Sequence, residues 1–180
     1  MLALLRPAEY REQRWKNGGG ITHEIAADAQ SDPPAWRISL AEIERSGAFS
    51  DFHGYDRTIV ALDTGVRLTV DGETVELAAH EPFAFRGEAA VRADVTSPSR
   101  DLNAMTLRAE YAHDVEIVTA PQRFLVDDDE LLCCYVLAGS ATIADTHCVQ
   151  GETLYLDSVE RFDVQPAAGG AVCVIHITPR

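Results

Sequence analysis

A chain of 180 residues, 46% hydrophobic and 24% charged, is long enough to bury one large core or two small ones. Its 15 Lys and Arg stand against 29 Asp and Glu, a formal charge of −14, which disfavours nonspecific binding to nucleic acid or to an anionic membrane surface. No apolar run approaches the length of a membrane span, and the apolar start at residues 1–5 is too short for a secretory leader, so the expected compartment is the cytoplasm.

The run Trp15-Lys16-Asn17-Gly18-Gly19-Gly20 opens the informative part of the chain. Three consecutive glycines cost backbone entropy and pack nothing, so they belong where the chain bends sharply or approaches something closely. Two readings are open. The run is a hinge that presents Lys16 and Asn17 at the mouth of a pocket, or a structural loop with a solvated lysine. Composition alone favours the loop.

Beyond it, helix signals are scarce and β signals recur. Residues 21–26 are β-prone, and Trp36, Ile38 and Leu40 alternate with Arg37 and Ser39. Residues 58–62 form a compact apolar run, and Val66, Leu68 and Val70 alternate with Arg67 and Thr69. Asp71-Gly72 then separates them from Val75 and Leu77, the signature of a tight hairpin whose two turn residues tolerate positive φ. Pro98 to Asp101 reads as a turn before a strand from Leu102 to Arg108. The second half repeats this grammar: Leu137-Ala138-Gly139 leads into Ala141-Thr142-Ile143, a turn, and then residues 151–156. Residues 127–130 read as a solvated acidic loop. The pattern predicts an all-β fold with a weak internal duplication.

The four cysteines form no Cys-x-x-Cys pair, and Cys133, Cys134 and Cys173 lie in apolar stretches, as reduced core thiols do. None of the six histidines forms a His-x-His or His-x-x-x-His pair, so no metal or other cofactor is expected. Neither a nucleophile elbow nor a phosphate-binding loop is present.

What remains is a polar set in the first third. On predicted strands, Thr22 and Glu24 share a face, as do Arg37 and Ser39, and Asp101 and Asn103. This stripe is either the wet outside of a barrel or the lining of its mouth, with Trp36, Phe49, Phe52 and Tyr55 as apolar walls. Asp56-Arg57 is a structural ion pair at a corner or part of that lining. Periodicity leaves these readings even.

The blocks Trp15-Lys16-Asn17-Gly18-Gly19-Gly20, Thr22, Glu24-Ile25-Ala26, Trp36-Arg37 with Ser39, Gly47, Phe49-Ser50, Phe52, Gly54, Asp56-Arg57, Arg100-Asp101-Leu102-Asn103 and Met105 resemble the HutD/Ves family of cupin-like proteins in order and spacing. Members of that family usually carry Pro where this chain has Arg14, Ala48 and His53, and Arg where it has His23, which removes one cation near the expected pocket. The resemblance implies a bicupin: two fused RmlC-like jelly-roll barrels, one over residues 1–110 with the pocket and a scaffold barrel over residues 111–180, with strands exchangeable between them. It also implies loss of the cupin metal triad and a link to histidine utilisation, with N-formylglutamate or a related small anion as ligand.

The function expected from these residues is non-enzymatic binding of a small carboxylate, to which the resemblance adds a regulatory role. Arg57 anchors the carboxylate by a bidentate pair. Lys16 adds charge, and Asn17, Thr22 and Ser39 fix orientation; Arg37, Ser50 and Asn103 are further expected ligand contacts. Trp36 and Phe49 exclude water, and Glu24 and Asp56 hold the cations or select ligands with a donor group. Two rivals stay open. One is a metal-independent isomerase or hydrolase with Glu24 as acid or base beside Lys16. The other is a structural or partner-binding module. A homodimer is also open, since cupin-like barrels often pair.

Overall fold

The computed structural model describes residues 2–15, 18–63, 66–127, 129–157 and 161–180. Lys16 and Asn17, two of the expected ligand contacts, lie outside the described residues. Among the described residues the regular elements are all strands except for one 3-10 turn, Pro7–Glu9. In order the strands are β1 (Leu2–Leu5), β2 (Arg11–Arg14), β3 (Gly20–Ala27), β4 (Trp36–Ile43), β5 (Gly47–Ala48), β6 (Tyr55–Ala61), β7 (Val66–Val70), β8 (Glu73–Leu77), β9 (Pro82–Arg86) and β10 (Val91–Asp94). They continue as β11 (Ser99–Leu107), β12 (Tyr111–Val118), β13 (Gln122–Leu125), β14 (Leu131–Ala138), β15 (Ser140–Ile143), β16 (Thr146–Val149), β17 (Thr153–Asp157), β18 (Arg161–Pro166) and β19 (Ala171–Pro179).

Two compact units result. One is Arg11–Glu110, and the other is Tyr111–Arg180 with the first ten residues. Each is a pair of open antiparallel sheets. The first unit pairs a six-stranded sheet, β2-β3-β4-β11-β6-β9, with a four-stranded one, β5-β10-β7-β8. The second pairs β1-β17-β14-β19-β12 with β13-β18-β15-β16. The same connectivity occurs twice: adding eight to each label turns β4-β11-β6-β9 into β12-β19-β14-β17 and β5-β10-β7-β8 into β13-β18-β15-β16. The repeat is therefore plainer in the strand order than in the residues.

The expected boundary needs one correction. The first ten residues belong to the second unit, because the apolar strand β1 finds its partner there, Leu2 opposite Leu156 and Leu5 opposite Thr153. Tyr10 fixes the end of this segment: its hydroxyl reaches the Gly151 carbonyl at 2.8 Å and Thr153 Oγ1 at 3.0 Å.

Alternation on β7, where Val66 and Leu68 are buried and Arg67 is exposed, sends one face to the core. That core joins Ile43, Ile59 and Ala61 of the large sheet to Val66, Leu68, Leu77, Val91 and Ala93 of the small one. The hairpin β7–β8 turns through Asp71 at φ 50° and Gly72 at φ 90°, both positive as expected. The central strands β6 and β11 are buried on both faces, which explains their continuous apolar runs. Strand β11 also begins earlier than expected, at Ser99. Asp63 explains this: its carboxylate accepts from the Arg100 backbone N–H at 3.0 Å and from the guanidinium at 3.1 and 3.2 Å, and so extends the strand through the predicted turn.

In the second unit Leu132, Cys134, Leu154, Leu156, Val172 and Val174 pack against Phe124, Ile143, Phe162 and Val164. Cys133, Cys134, Cys148 and Cys173 are all buried and unpaired as disulfides. Among the described residues no helix is long and apolar enough to cross a membrane.

Candidate functional site in the first unit

Antiparallel register places the polar stripe in cross-strand rows on the inner face of the six-stranded sheet. Residues directly opposite each other point the same way. One row runs Arg37, Met105, Arg57, Phe85 across β4, β11, β6 and β9. The next runs Glu24, Ser39, Asn103, Ile59. The third runs Thr22, Ala41, Asp101, Ala61. Ile59 and Ala61 belong to the core between the two sheets, so this is the inward face. Cations occupy one end of the stripe and a carboxyl the other.

A cavity of about 460 Å³ opens over these rows. Its floor is Thr22, Arg37, Ala41 and Asp101; its walls are Trp15, Phe49, Ser50 and Phe52, with Gln13 and Arg14 at β2. Of the expected contacts the fold thus gathers Thr22, Arg37, Phe49 and Ser50 on the cavity surface. Arg57 and Asn103 adjoin them. Arg57 is only 6% exposed, and its guanidinium lies 5.5, 5.2 and 4.9 Å from the ring centres of Phe49, Phe52 and Phe85. Its Nε and Nη2 donate to Asn103 Oδ1 at 3.4 and 3.3 Å, and Nη1 donates to the Ser50 carbonyl at 3.5 Å. The rings stabilise the cation through their negative faces while keeping water off it.

Arg37 is the second guanidinium, 5.5 Å from the Phe52 ring centre, with Nη2 donating to Met105 Sδ at 3.2 Å. Its Nε is buried without a hydrogen-bond partner among the described residues. Asp101 is 1% exposed, and its Oδ2 is likewise buried with no partner among the described residues. Burial dominates the acid–base behaviour of all three groups. It pushes the Asp101 carboxyl up to about 7 against the pull of Arg57, brings Arg57 down to about 10 against the pull of Asp101, and lowers Arg37 against the pull of Glu24.

Several expected contacts are elsewhere. Trp36 alternates with Arg37 and so faces away from the cavity, opposite Thr106, where it is 6% exposed. Asp56 faces away from Arg57 for the same reason, and it accepts from Arg108 Nε at 2.8 Å. The expected Asp56–Arg57 pair does not form. Glu24 shares the inner face but is held by Arg11 at 2.9 Å. Ser39 is 1% exposed, between Glu24 and Asn103.

Gln13, Trp15 and Ala41 line the cavity although periodicity gives them no place in it, and Asp101, placed in the polar stripe, is given no role there. Trp15 Nε1 donates to Thr22 Oγ1 at 2.8 Å, and its ring meets Phe49 edge-on at 6.3 Å. The glycine run serves this packing. A Cβ on Gly20 would lie 2.2 Å from the Glu42 carbonyl and 3.2 Å from the indole, so only glycine lets the ring settle on the backbone. Asp101 carried a signal, since it shares a face with Asn103. Among the described residues no three His, Cys, Asp or Glu come together as a metal-holding group.

A family model described as HutD matches residues 7–174. The chain belongs to the HutD/Ves family. An uncharacterized 21.2 kDa protein of the hutC 3′ region in Pseudomonas putida is 41% identical to it over 127 residues, 68% of this chain and 60% of the relative's own length. Protein Ves of Cronobacter sakazakii is 33% identical over 135 residues, 73% of this chain and 74% of the relative. HutD from Pseudomonas fluorescens SBW25, solved in a formate condition, superposes with a TM-score of 0.91 at 33% identity over the full length of both chains. A cupin 2 conserved barrel protein from Leptotrichia buccalis superposes with a TM-score of 0.60 at 8% identity over 89% of each chain, a likeness of fold.

Two departures from the usual HutD/Ves pattern now have positions. Arg14 stands at the cavity and brings a cation to it. His23 points to the other face of β3 from Thr22 and meets Glu42 at 3.1 Å. The histidine therefore takes no cation out of the cavity.

In the second unit a polar hollow of about 390 Å³ is lined by Arg123, Thr142, Asp145, Arg161 and Asp163. Arg123 is paired with Asp163 at 2.6 and 2.9 Å, and both are exposed.

Proposed function

We propose that this HutD/Ves protein is a small-ligand binding protein of histidine utilisation, and that the inner cavity of its first unit takes a small carboxylate. The observation that carries the reading is the Arg37 guanidinium, which lines the cavity with a buried Nε lacking a partner. An unmet donor on a buried cation costs free energy that an incoming carboxylate oxygen recovers. Arg57, clasped by three rings, supplies the second positive charge in a dry setting, where its field is strong. Arg37 and Arg57, with Arg14 at the cavity, set against the Asp101 carboxyl leave the hollow net positive although the chain carries −14 overall. The formate condition of the Pseudomonas fluorescens HutD structure is in keeping with this chemistry.

N-formylglutamate is the proposed ligand, with a regulatory role in place of turnover. The second unit serves as scaffold. In this reading the two units are cupin-like jelly-roll barrels, and the protein works in the cytoplasm, where its four thiols stay reduced. A thermal-shift series with N-formylglutamate, urocanate, glutamate and formate tests the proposal. A ligand that binds only the folded state raises Tm with concentration, by mass action. A shift that is lost in Arg37→Met supports the reading; no shift with any of the four acids contradicts it.

One observation favours an enzyme instead. A carboxyl held near 7 by burial has the proton affinity of a general acid or base at neutral pH. That role falls to Asp101, since Glu24 is engaged by Arg11. Product formation from a bound acid would favour this reading.

A further inference from the structure

We infer that Asp101 is the specificity-determining residue of this cavity, selecting carboxylates that also carry a hydrogen-bond donor. The inference rests on the carboxylate reading above. Three observations carry it. Asp101 lines the cavity, is 1% exposed, and has a buried Oδ2 with no partner. Thr22, Ala41 and Asp101 stand side by side in one cross-strand row, all on the cavity surface. The Arg37 guanidinium stands at a different row, two residues removed twice over on β4, so the two polar ends of the cavity are separate.

Adjacent strands lie about 4.8 Å apart, so Thr22 and Asp101 flank Ala41 across roughly 10 Å. The small methyl of Ala41 leaves the floor between them low. At this end Asp101 offers an oxygen that none of the described residues satisfies. Thr22 accepts from the Trp15 indole at 2.8 Å, and its own hydroxyl proton remains to be donated. A ligand with its carboxylate at Arg37 brings its other end to this row. A plain alkyl group there leaves Oδ2 desolvated and unpaired. A hydroxyl or N–H satisfies it. Sites built to hydrogen-bond a ligand group discriminate strongly against the analogue that lacks it, because the buried partner is stranded. The ligand class is therefore a hydroxy, amino or amide acid rather than a simple fatty or alkanoic acid.

Calorimetric titration of the protein with matched pairs that carry the donor at the end remote from the carboxylate tests this: 4-hydroxybutyrate against pentanoate, and 5-hydroxypentanoate against hexanoate. The expected result is a preference of about tenfold or more for the hydroxy member of at least one pair. Apolar walls alone would favour the member without the hydroxyl, so the two accounts differ in sign. In Asp101→Leu, which keeps the bulk and removes the acceptor, the hydroxy member loses its advantage while the alkanoate still binds. Equal affinities within each pair in the unmodified protein overturn the inference and leave the carboxylate reading standing. Binding of none of the four acids overturns both. The comparison within the unmodified protein needs no variant, so it decides the matter even if Asp101→Leu does not fold.

Discussion

Asp56 and Arg57 are consecutive on β6 and face opposite ways. Asp56 accepts from Arg108 Nε at 2.8 Å, while Arg57 turns inward to Asn103 and three phenylalanine rings. Two adjacent charges that invite pairing in the sequence therefore serve different ends. Arg108 also reaches Glu88 at 3.1 Å, and Glu88 accepts from the Gly54 N–H at 2.9 Å. The outward charges tie down the segment whose residues Phe49 and Phe52 wall the cavity. The inward charge supplies the field of the cavity itself.

This division predicts unequal mutants. Arg57→Met removes a buried guanidinium and weakens carboxylate binding by about tenfold to a hundredfold, the worth of a charge-assisted hydrogen bond. Asp56→Ala touches only the outer cluster and changes affinity by less than about threefold. Calorimetric titration of both variants with the same acid gives the comparison. Equal losses would mean that Arg57 acts only through the structure around it.

Gly20→Ala tests the reason for the glycine run. The added methyl would sit 2.2 Å from the Glu42 carbonyl, against backbone that cannot swing away, and 3.2 Å from the Trp15 ring. Overpacking of this kind costs about 1–3 kcal/mol. Urea unfolding should show that loss, and the Trp15 fluorescence of the folded variant should move to longer wavelength as the ring lifts. An unchanged stability would mean that the strand pair relaxes freely at this point.

Asp101 imposes a pH dependence whose sign follows from its environment. An ordinary aspartate titrates near 3.8, while burial raises Asp101 to about 7 in the folded protein. Between those values the folded state holds the proton more firmly than the unfolded state. Its contribution to stability therefore falls as pH rises through this window and levels off above about 7. Asp101→Asn has no such proton. From pH 4 to pH 8 the variant should gain on the unmodified protein by on the order of 4 kcal/mol in urea unfolding. Parallel pH profiles would contradict this.

The thiols should be inert until the chain unfolds. Cys133, Cys134, Cys148 and Cys173 are all 0% exposed, and burial pushes Cys133 up to about 12 and Cys148 up to about 11. Since the thiolate is the reactive form, a disulfide reagent should titrate none of them at neutral pH in the native protein and four in denaturant. Fast labelling of the native protein would show that the second unit opens readily.

Much of the fold was readable because its signals are local. Asp71-Gly72 marked its hairpin, and alternation gave the β strands their faces. Alternation also put Thr22 with Glu24, Arg37 with Ser39 and Asp101 with Asn103. It could not say which face was inside. The other face of the same sheet is also buried, through Ile38, Val60, Leu102 and Ala104, so neither side reads as solvent. Trp36 was misjudged for a related reason: an aromatic beside Arg37 looks like a wall, yet a strand sends neighbours to opposite sides. Asp101 was placed in the polar stripe but given no role, because alternation shows neither its burial nor its missing partner. Strand β1 crosses to the second unit because its partner lies some 150 residues away, a pairing no local pattern reports.

The central claim is that the inner cavity holds a carboxylate against Arg37. Isothermal titration of formate and of N-formylglutamate into the unmodified protein and into Arg37→Met tests it most directly. The account predicts saturable one-site binding of at least one of the two acids, weakened about tenfold or more in the variant while its Tm without ligand stays near that of the unmodified protein. Saturable binding of equal strength in both proteins, or no binding in either, would contradict it.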